Sequence, residues 1–422
     1  MYRKYFAVLL CSIFCGYAIQ AQTVSATTLE DCQAQALSNY PLIQQAALLD
    51  ETKAYTLSNL SRANWTQIIL NGQATYQSEV TSLPIVLPGI SVPSLSKDQY
   101  KLYADVYQPL TEFRNIRLQK DWVAANLEIE KQKIAVELYK IKDRINQLYF
   151  GILLINAQTA QAQLLKQDLR ASIDRINVAI ANGAATPANR DLLQAEVLKI
   201  EQKITELQMG KDAFLQMLSA FTKQTLTTET QLAMPTFGNL DVTIRRPELK
   251  LFDLQKNTTA IQQRQIANRY IPKIGLFGQV GFGRPALNFL SNAFDFYYIG
   301  GLRLSMNFSS FYTEKNEKQL LRINDDAVEI QRQVFLLNTQ LSLLQQNTEI
   351  GKFQMLIQSD KDIIALRESI KQVANIQLEN GIITTTDYLS YLNAEDQAKQ
   401  NLILHTIQLL LAKSNLSIII GN

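Results

Sequence analysis

Hydrophobic and polar positions alternate in four segments of about ten residues each, which is the length and pattern of strands that cross an outer membrane. In the first segment Ile68, Leu70 and Tyr76 fall on one face, whereas Asn71 and Gln73 fall on the other. The same parity recurs in the other three segments. We therefore predict two hairpins, with strands near residues 66–77, 100–108, 273–283 and 297–308.

Two helical segments of unusual length follow these hairpins, from about residue 115 to 181 and from about residue 313 to 379. Neither contains proline, and at 1.5 Å per residue each would span roughly 100 Å. Apolar residues at alternating steps of three and four predict coiled-coil packing for both helices. The first stripe is Ile134, Leu138, Ile141, Ile145, Leu148, Ile152 and Ile155, and the second is Leu320, Ile323, Ala327, Ile330, Val334, Leu337, Leu341 and Leu344.

The chain carries the same order of elements twice, and such internal duplication constrains the architecture strongly. Gly72 recurs as Gly278 at an offset of 206, and Gly183 recurs as Gly381 at an offset of 198. We place the eight additional residues of the first copy in the proline-containing loop after its first strand, because loops tolerate insertions.

The duplication divides the chain into four parts. Residues 1–21 have the basic, apolar and small-residue order of a secretory signal, so we expect the mature chain to begin at Gln22. Residues 22–220 form the first repeat, residues 221–244 are a threonine-rich linker, and residues 245–422 form the second repeat.

Each long helix ends at an Asn-Gly pair and is followed at once by another helix, which predicts sharp hairpin turns near residues 182–187 and 380–386. Glycine can take the left-handed conformation that closes a helix. Thr186 precedes a proline and predicts a cap with a first-turn proline. Thr384 and Asp387 have the spacing of a capping box.

Charge and cysteine content argue against several functions. The 41 basic and 38 acidic residues are interspersed and give a net charge of +3, so no footprint of nucleic-acid binding is present. The chain has one histidine, His405, and after removal of the signal one cysteine, Cys32. This is little material for metal ligation or a histidine-based triad. We expect no cofactor and no enzymatic activity. We interpret His405 as an ordinary packing or surface residue and Cys32 as a buried small hydrophobic residue.

No run of about 20 apolar residues follows the signal, which predicts that strands rather than helices would make any membrane crossing. Four strands could form a half-buried soluble sheet, but export and the long helices favour a membrane barrel. Because the smallest spanning barrels have about eight strands, the barrel must be shared between subunits. Two chains would give a filled eight-stranded barrel, and three would give twelve strands and a lumen.

The repeated helix-strand-strand-helix order and the paired hairpins at Gly183 and Gly381 resemble those of outer-membrane efflux proteins, the TolC-like channels, over essentially the whole mature chain. The resemblance implies a mainly α fold with a β-barrel part. It implies a homotrimer with a twelve-stranded barrel in the lipid of the outer membrane and a long helical coiled-coil tunnel in the periplasm.

The same resemblance implies a function, that of a passive conduit in tripartite efflux or type I secretion. A periplasmic membrane-fusion adaptor would dock at the tip of the tunnel and connect it to an inner-membrane pump. The docking residues would be those of the hairpin turns, which are Gly183, Thr186, Gly381 and Thr384.

Relatives close the tip with acidic rings, and Asp387 matches one such acid. In the first copy Asn189 replaces it, with Asp191 nearby, so these three residues form the expected periplasmic gate. Because Ser390, Leu378 and Ile383 stand near the gate where relatives can carry acidic or other polar residues, the resemblance implies a weaker ionic gate here.

A second interpretation is a periplasmic coiled-coil adaptor or scaffold without a pore. Such a protein needs no set of four amphipathic strands. It would fractionate with soluble or inner-membrane material.

Overall fold

The structure is a computed structural model that describes residues 26–81, 95–238, 241 and 243–421. The expected signal, the expected mature N-terminus and the prolines of the first inter-strand loop lie outside the described residues. The described chain forms seven helices and four strands. In order they are α1 Leu29–Asn39, α2 Leu42–Arg62, β1 Gln67–Tyr76, β2 Asp98–Pro109, α3 Phe113–Ala181, α4 Pro187–Thr222, α5 Pro247–Asn268, β3 Lys273–Arg284, β4 Asp295–Ser305, α6 Ser310–Glu379 and α7 Thr385–Ile420.

The elements repeat as a helical arm, two strands, a very long helix and a return helix. The long helices α3 and α6 have 69 and 70 residues, about 100 Å at 1.5 Å per residue. The first arm is divided at Pro41, whereas α5 begins at its proline, where the missing N–H costs nothing. The strand β4 ends at Ser305, three residues before the predicted end, because Asn307 accepts a hydrogen bond from the Ser309 amide and starts the turn into α6.

The four strands form one antiparallel sheet in the order β1-β2-β3-β4. The pairing of β2 with β3 joins the two repeats, and within the described residues β1 and β4 are edge strands. One face, called the outer face here, is apolar and exposed in the single chain, with Leu70 72% and Leu302 69% exposed. The inner face carries Asp105, whose carboxylate accepts hydrogen bonds from Asn71 at 2.7 Å and from Gln279 at 2.9 Å.

A hydrophobic core lies halfway along the helices, where α1, α4 and α7 pack on α3. Ile145, Tyr149 and Ile152 of α3 are fully buried there, together with Cys32 and Leu218. Burial raises the pKa of the Cys32 thiol to about 11, with the nearby Asp31 carboxylate adding to the effect. The structure confirms Cys32 as a small core residue rather than a reactive thiol.

The segment between the repeats begins later than predicted, because α4 continues through the buried Thr222. It is also part of the packed structure. The amide of Thr27 donates to the carbonyl of Gln231 at 3.0 Å, and the amide of Ala233 donates to the carbonyl of Thr27 at 3.0 Å. Phe237 packs against the central core. This segment therefore holds the N-terminal end of α1 in place.

Replacing Tyr149 with phenylalanine should destabilise this junction. The buried hydroxyl lies 2.8 Å from the carbonyl oxygen of Thr27 and 2.6 Å from that of Ala233, and its removal deprives both of a donor. We expect a loss of about 1–3 kcal/mol in the free energy of unfolding, measured as a lower denaturation midpoint. Tyr55→Phe, at a side chain that is 72% exposed, is the control; equal midpoints in both variants would contradict the assignment.

The two predicted apolar stripes differ in burial. In α3 the stripe residues Ile134, Ile145 and Ile152 are buried inside the chain. In α6 the stripe is exposed, with Leu320 at 65% and Leu344 at 65%, because α6 packs on α5 and α7 through its other faces. A continuous exposed apolar stripe on a 70-residue helix indicates a surface that is covered in an assembly.

The prediction that no helix is apolar enough to cross a membrane is wrong for α7. Its 36 residues include an 18-residue window of mean hydropathy 1.5, long enough to span by length and composition alone. In the structure α7 packs along α6, α3 and α4, and its C-terminal half is mostly half-buried. Packing between helices accounts for this apolar composition.

His405 is a packing residue, as predicted, but with a polar partner that the sequence did not indicate. Its Nδ1 atom lies 2.6 Å from Oδ2 of Asp360, which is itself buried, and its ring lies 6.1 Å from that of Phe353. This pair connects α6 to α7.

Candidate functional site: the tip of the helical hairpins

The two hairpin turns have the same backbone geometry. Gly183 and Gly381 take the left-handed conformation, with φ of 70° and 69°. In the first turn the Ala184 amide donates to the carbonyl of Ala179 at 2.8 Å, and in the second the Ile382 amide donates to that of Gln377 at 2.8 Å. This bond between residues five apart is the Schellman closure of a helix. The chain therefore reverses direction within a few residues at each turn.

The second turn has a complete capping box. The Asp387 amide donates to the Thr384 hydroxyl oxygen at 3.1 Å, and the Asp387 carboxylate accepts from the Thr384 amide at 3.1 Å and from its hydroxyl at 2.6 Å. The side-chain and then the backbone hydrogen bond from Thr384 hold the pKa of the Asp387 carboxyl below its ordinary value. The carboxylate is exposed at the tip and ionised at neutral pH.

The first turn has the predicted cap position and first-turn proline but lacks a side-chain capping hydrogen bond. Thr186 occupies the cap position with extended backbone and precedes Pro187, but its hydroxyl donates to Oδ1 of Asn189 at 3.0 Å instead of accepting from a backbone amide. The nearby Asp191 is paired with Arg190, with Nη2 and Oδ1 2.8 Å apart. The first turn therefore contributes little net charge.

Asp387 differs from the other two predicted gate residues. Its carboxylate is exposed, and no cation among the described residues forms an ion pair with it. Leu378 and Ile383 do not form a polar ring. They pack, half-buried, against an apolar cluster in which Leu169, Leu193 and Leu392 have no exposed surface. The side chain of Ser390 is exposed.

The two hairpins contact each other at the tip. The apolar cluster joins α3 and α4 to α6 and α7, and the hydroxyls of Ser172 and Tyr388 lie 3.1 Å apart within it. A cleft of about 800 Å³ separates the two turns and is lined by Asn182, Asn189 and Asn380 among others. The tip is thus a pair of hairpins joined by a small core and separated at the end by a cleft lined by both polar and apolar side chains.

An ionic network lies next to this cluster on the side away from the turns, and the sequence did not indicate it. Lys371 of α6 contacts Asp168 of α3 at 2.9 Å and Glu395 of α7 at 2.8 Å. Lys399 contacts the same Glu395 at 2.6 Å and Glu368 at 3.0 Å. Only the spacing of Glu395 and Lys399, four residues apart, could have been read from the sequence.

Glu395 is the centre of this network, since its side chain is 4% exposed. A buried carboxylate without a partner is costly, and here two lysines supply the compensation. Burial lowers the pKa of Lys371, but its hydrogen bonds to Glu395 and Asp168 outweigh that effect and the pKa is raised. The network therefore connects the α6/α7 hairpin to α3 through charged side chains.

Within the described residues, no group of three or more histidine, cysteine, aspartate or glutamate side chains could hold a metal ion. The site consists of hairpin turns, exposed polar side chains and ion pairs.

Comparison with solved structures identifies the fold as that of outer-membrane channels. The chain superimposes on the outer-membrane channel OprN with a TM-score of 0.69 and 14% identity, covering 93% of this chain and 89% of that one. For VceC, an outer membrane protein of Vibrio cholerae, the TM-score is 0.65 with 13% identity over 93% and 96% of the two chains. For the open state of the MtrE outer membrane channel of Neisseria gonorrhoeae it is 0.65 with 11% identity over 93% and 89%.

No model of a protein family matches the chain, and no curated protein matches its sequence. The likeness therefore concerns the fold, in which very long helices carry a small antiparallel sheet at one end, as expected from the sequence.

Proposed function

We propose that this protein is the outer-membrane channel of a tripartite efflux or type I secretion system, and that it conducts solutes passively from the periplasm to the exterior. The observation that carries the proposal is the four-stranded sheet. Its outer face is mainly apolar and largely exposed in the single chain, it cannot close on itself, and it lies at one end of helices about 100 Å long.

The dimensions of the sheet suit a bilayer. Strands of 10–12 residues at about 3.3 Å per residue, tilted by about 40°, rise roughly 25–30 Å, close to the apolar band of membrane barrels. Aromatic side chains lie at both ends, as expected at membrane interfaces. At one end are Tyr76, Phe296 and Tyr298, and at the other are Trp65, Tyr270 and Phe311.

The edges of the sheet support a homotrimer. Strands β1 and β4 have unpaired edges within the described residues, and unpaired edges do not persist in a bilayer. Pairing β4 of one copy with β1 of the next closes twelve strands in a trimer, which is enough for a lumen. The exposed stripe of α6 would lie between the same copies, because α6 follows β4 directly.

At the other end, the hairpin tips form the gate and the docking site of a periplasmic adaptor that connects to an inner-membrane pump. The turns at Gly183 with Thr186 and at Gly381 with Thr384 would contact the adaptor. In a trimer Asp387 would form a ring of three charges, whereas Asn189 adds none and Asp191 is neutralised by Arg190. A ring of three charges rather than six favours a weakly ionic gate.

Single-channel recording of the purified protein in planar bilayers tests the conduit directly. We expect discrete conductance steps from a trimeric species. A monomeric mass in detergent together with silent bilayers would reject the proposal.

The alternative is a periplasmic adaptor or scaffold without a pore. It is disfavoured by the exposed apolar face of the sheet, because large apolar patches are rarely left in contact with water. Cell fractionation separates the two. A channel is recovered with the outer membrane and shifts in gel mobility on heating, whereas a scaffold is recovered in the soluble or inner-membrane fraction.

Asp387→Asn should raise the resting conductance. The change reproduces at the second turn the asparagine that occupies the first, where Asn189 still accepts a hydrogen bond from the threonine hydroxyl, so the turn should fold while the charge ring is lost. Basal current and antibiotic entry are the measurements. Asp191→Asn, at a carboxylate already paired with Arg190, is the control, and equal currents in both variants would leave Asp387 with its capping role alone.

Acid should loosen the second turn only at low pH. The folded-state pKa of Asp387 is lowered by the hydrogen bonds from Thr384, so its contribution to stability is complete above the ordinary carboxyl range and is lost as pH falls through the lowered value. We expect the conductance of the wild type to show no Asp387-dependent change between pH 5 and 8. If the conductance of the wild type changed with a midpoint between pH 5 and 8, and this change disappeared in Asp387→Asn, the lowered pKa of Asp387 would be contradicted.

A further inference from the structure

The inner face of the sheet pairs aromatic residues with glycines. The strand register defines rows of residues that lie side by side across β2, β3 and β4. One row is Tyr107, Phe277 and Gly301, a second is Asp105, Gln279 and Ile299, and a third is Tyr103, Gly281 and Tyr297. A further row, on the other side of the first from the second, pairs Gly275 with Arg303. Each aromatic row thus places a ring next to a residue without a side chain.

The rings occupy the space that side chains on these glycines would fill. A β-carbon added to Gly275 would lie 2.5 Å from the ring of Tyr107, and one added to Gly301 would lie 3.1 Å from the ring of Phe277. Non-bonded carbon atoms do not approach to 2.5 Å. The ring of Tyr107 therefore occupies the place of a β-carbon and lies directly on the backbone of Gly275. That glycine is accordingly buried, although the sheet is a single layer.

The third row shows the same arrangement. A β-carbon on Gly281 would lie 3.0 Å from the ring of Tyr297, and the Tyr297 side chain is only 6% exposed. The ring of Tyr297 therefore lies next to the backbone of Gly281. Aromatic rings covering glycines in a sheet are a recognised packing device.

We propose that Gly275 and Gly301 are positioning residues that set the bore of the barrel, by allowing two aromatic rings per protomer to lie against its wall. The inference rests on the proposed function, since the inner face becomes a lumen only in the closed barrel. A methyl group at either position would lift the ring of Tyr107 or Phe277 away from the wall. Three-fold repetition would place three such rings in the lumen for each substitution.

Glycines on the outer face show that crowding of the strands does not explain the pattern. Gly278 and Gly300 face each other across β3 and β4. A β-carbon on Gly278 would have its nearest neighbour at 3.9 Å, and one on Gly300 at 3.7 Å, which are ordinary contacts. These two positions accept a methyl group in the same strands and serve as matched controls.

The choice of variants avoids backbone clashes. At Gly281 an added β-carbon would also meet the carbonyl oxygen of Leu102 at 2.8 Å, so substitution there would disturb strand pairing. At Gly275 and Gly301 the close atoms belong only to the rings of Tyr107 and Phe277, which can rotate away. Gly275→Ala and Gly301→Ala are therefore the informative variants.

The experiment measures polymer exclusion in planar bilayers with the full-length protein. Polyethylene glycols of graded size are added from the side on which the barrel opens, so that the size cut-off reports on the barrel and not on the tip. We expect Gly275→Ala and Gly301→Ala to have a smaller polymer size cut-off than the wild type and a lower single-channel conductance, because both substitutions narrow the lumen. Gly278→Ala and Gly300→Ala should match the wild type.

Truncating the rings gives the opposite change. Tyr107→Leu should admit larger polymers, and Phe277→Leu should restore the wild-type cut-off in the Gly301→Ala background. An unchanged cut-off in the inner-face variants, or an equal shift in the outer-face controls, overturns the inference. If the alanine variants fail to assemble, an unchanged cut-off in Tyr107→Leu and Phe277→Leu overturns it. Absence of any channel in the wild type would instead reject the proposed function.

Discussion

We expect the replacement of Leu337 with aspartate to prevent assembly of the proposed trimer. Leu337 is 56% exposed in the single chain and lies in the middle of the α6 stripe, between Val334 and Leu341. In the assembly we expect this stripe to be covered, so the variant loses about 1.5–3 kcal/mol of apolar burial and must also bury a charge at a further cost of several kcal/mol. The three-fold repetition multiplies the effect. Native mass determination in detergent should show monomers.

Ser342→Asp is the matched control for this variant. Ser342 lies on the same helix, five residues away, and is exposed, but it lies off the stripe, so its aspartate remains in water. If Leu337→Asp and Ser342→Asp both form trimers of equal stability, the stripe of α6 is not the interface. If both are monomeric, a general effect of added charge on α6 would account for the result.

Replacing Lys371 with glutamine will open the tip. The substitution removes the contacts at 2.9 Å to Asp168 of α3 and at 2.8 Å to the buried Glu395 of α7. Glu395 keeps Lys399 as a partner, so we expect a loss of about 1–3 kcal/mol rather than the full cost of a broken buried ion pair. A difference of 1.4 kcal/mol changes a two-state ratio roughly tenfold. Basal conductance should rise accordingly.

Lys352→Gln provides the comparison, since Lys352 lies on the same helix and pairs with Glu349 three residues away on the solvent side. Such an exposed pair within one helix contributes little, and it connects no second element. A rise in conductance for Lys371→Gln alone supports a closed tip held by the network of Glu395. Equal conductance in the two variants would mean that the tip is closed by its apolar cluster and turns.

The strands, the long helices and the turns could be predicted because their causes are local. Alternation with a period of two defined the faces of β1 to β4, and the absence of proline allowed α3 and α6 to run for 69 and 70 residues. The positive φ of Gly183 and Gly381 follows from their positions after asparagine at helix ends. The resemblance to TolC-like channels, based on these features, agrees with the fold found by comparison.

The candidate site was predicted less completely, because its chemistry depends on contacts between distant residues. The capping box of Thr384 and Asp387 has a sequence signature, and it is present. At Thr186 the predicted cap position and first-turn proline are also present, but the sequence did not indicate that its hydroxyl donates to Asn189. The pairing of Asp191 with Arg190, and hence the difference in charge between the two tips, required side-chain positions.

The sequence by itself determined the repeat, the lengths of the two long helices to within a few residues, the two faces of the sheet and the position of both tips. Each of these depends on periodicity or on the conformational preferences of single residues. The tertiary structure decided which stripe is buried within the chain and which remains exposed, because two helices with similar heptads differ only in what packs against them. It also brought Asp168, Lys371 and Glu395 together and laid aromatic rings over glycines from neighbouring strands, since both arrangements arise from the packing of segments far apart in the chain.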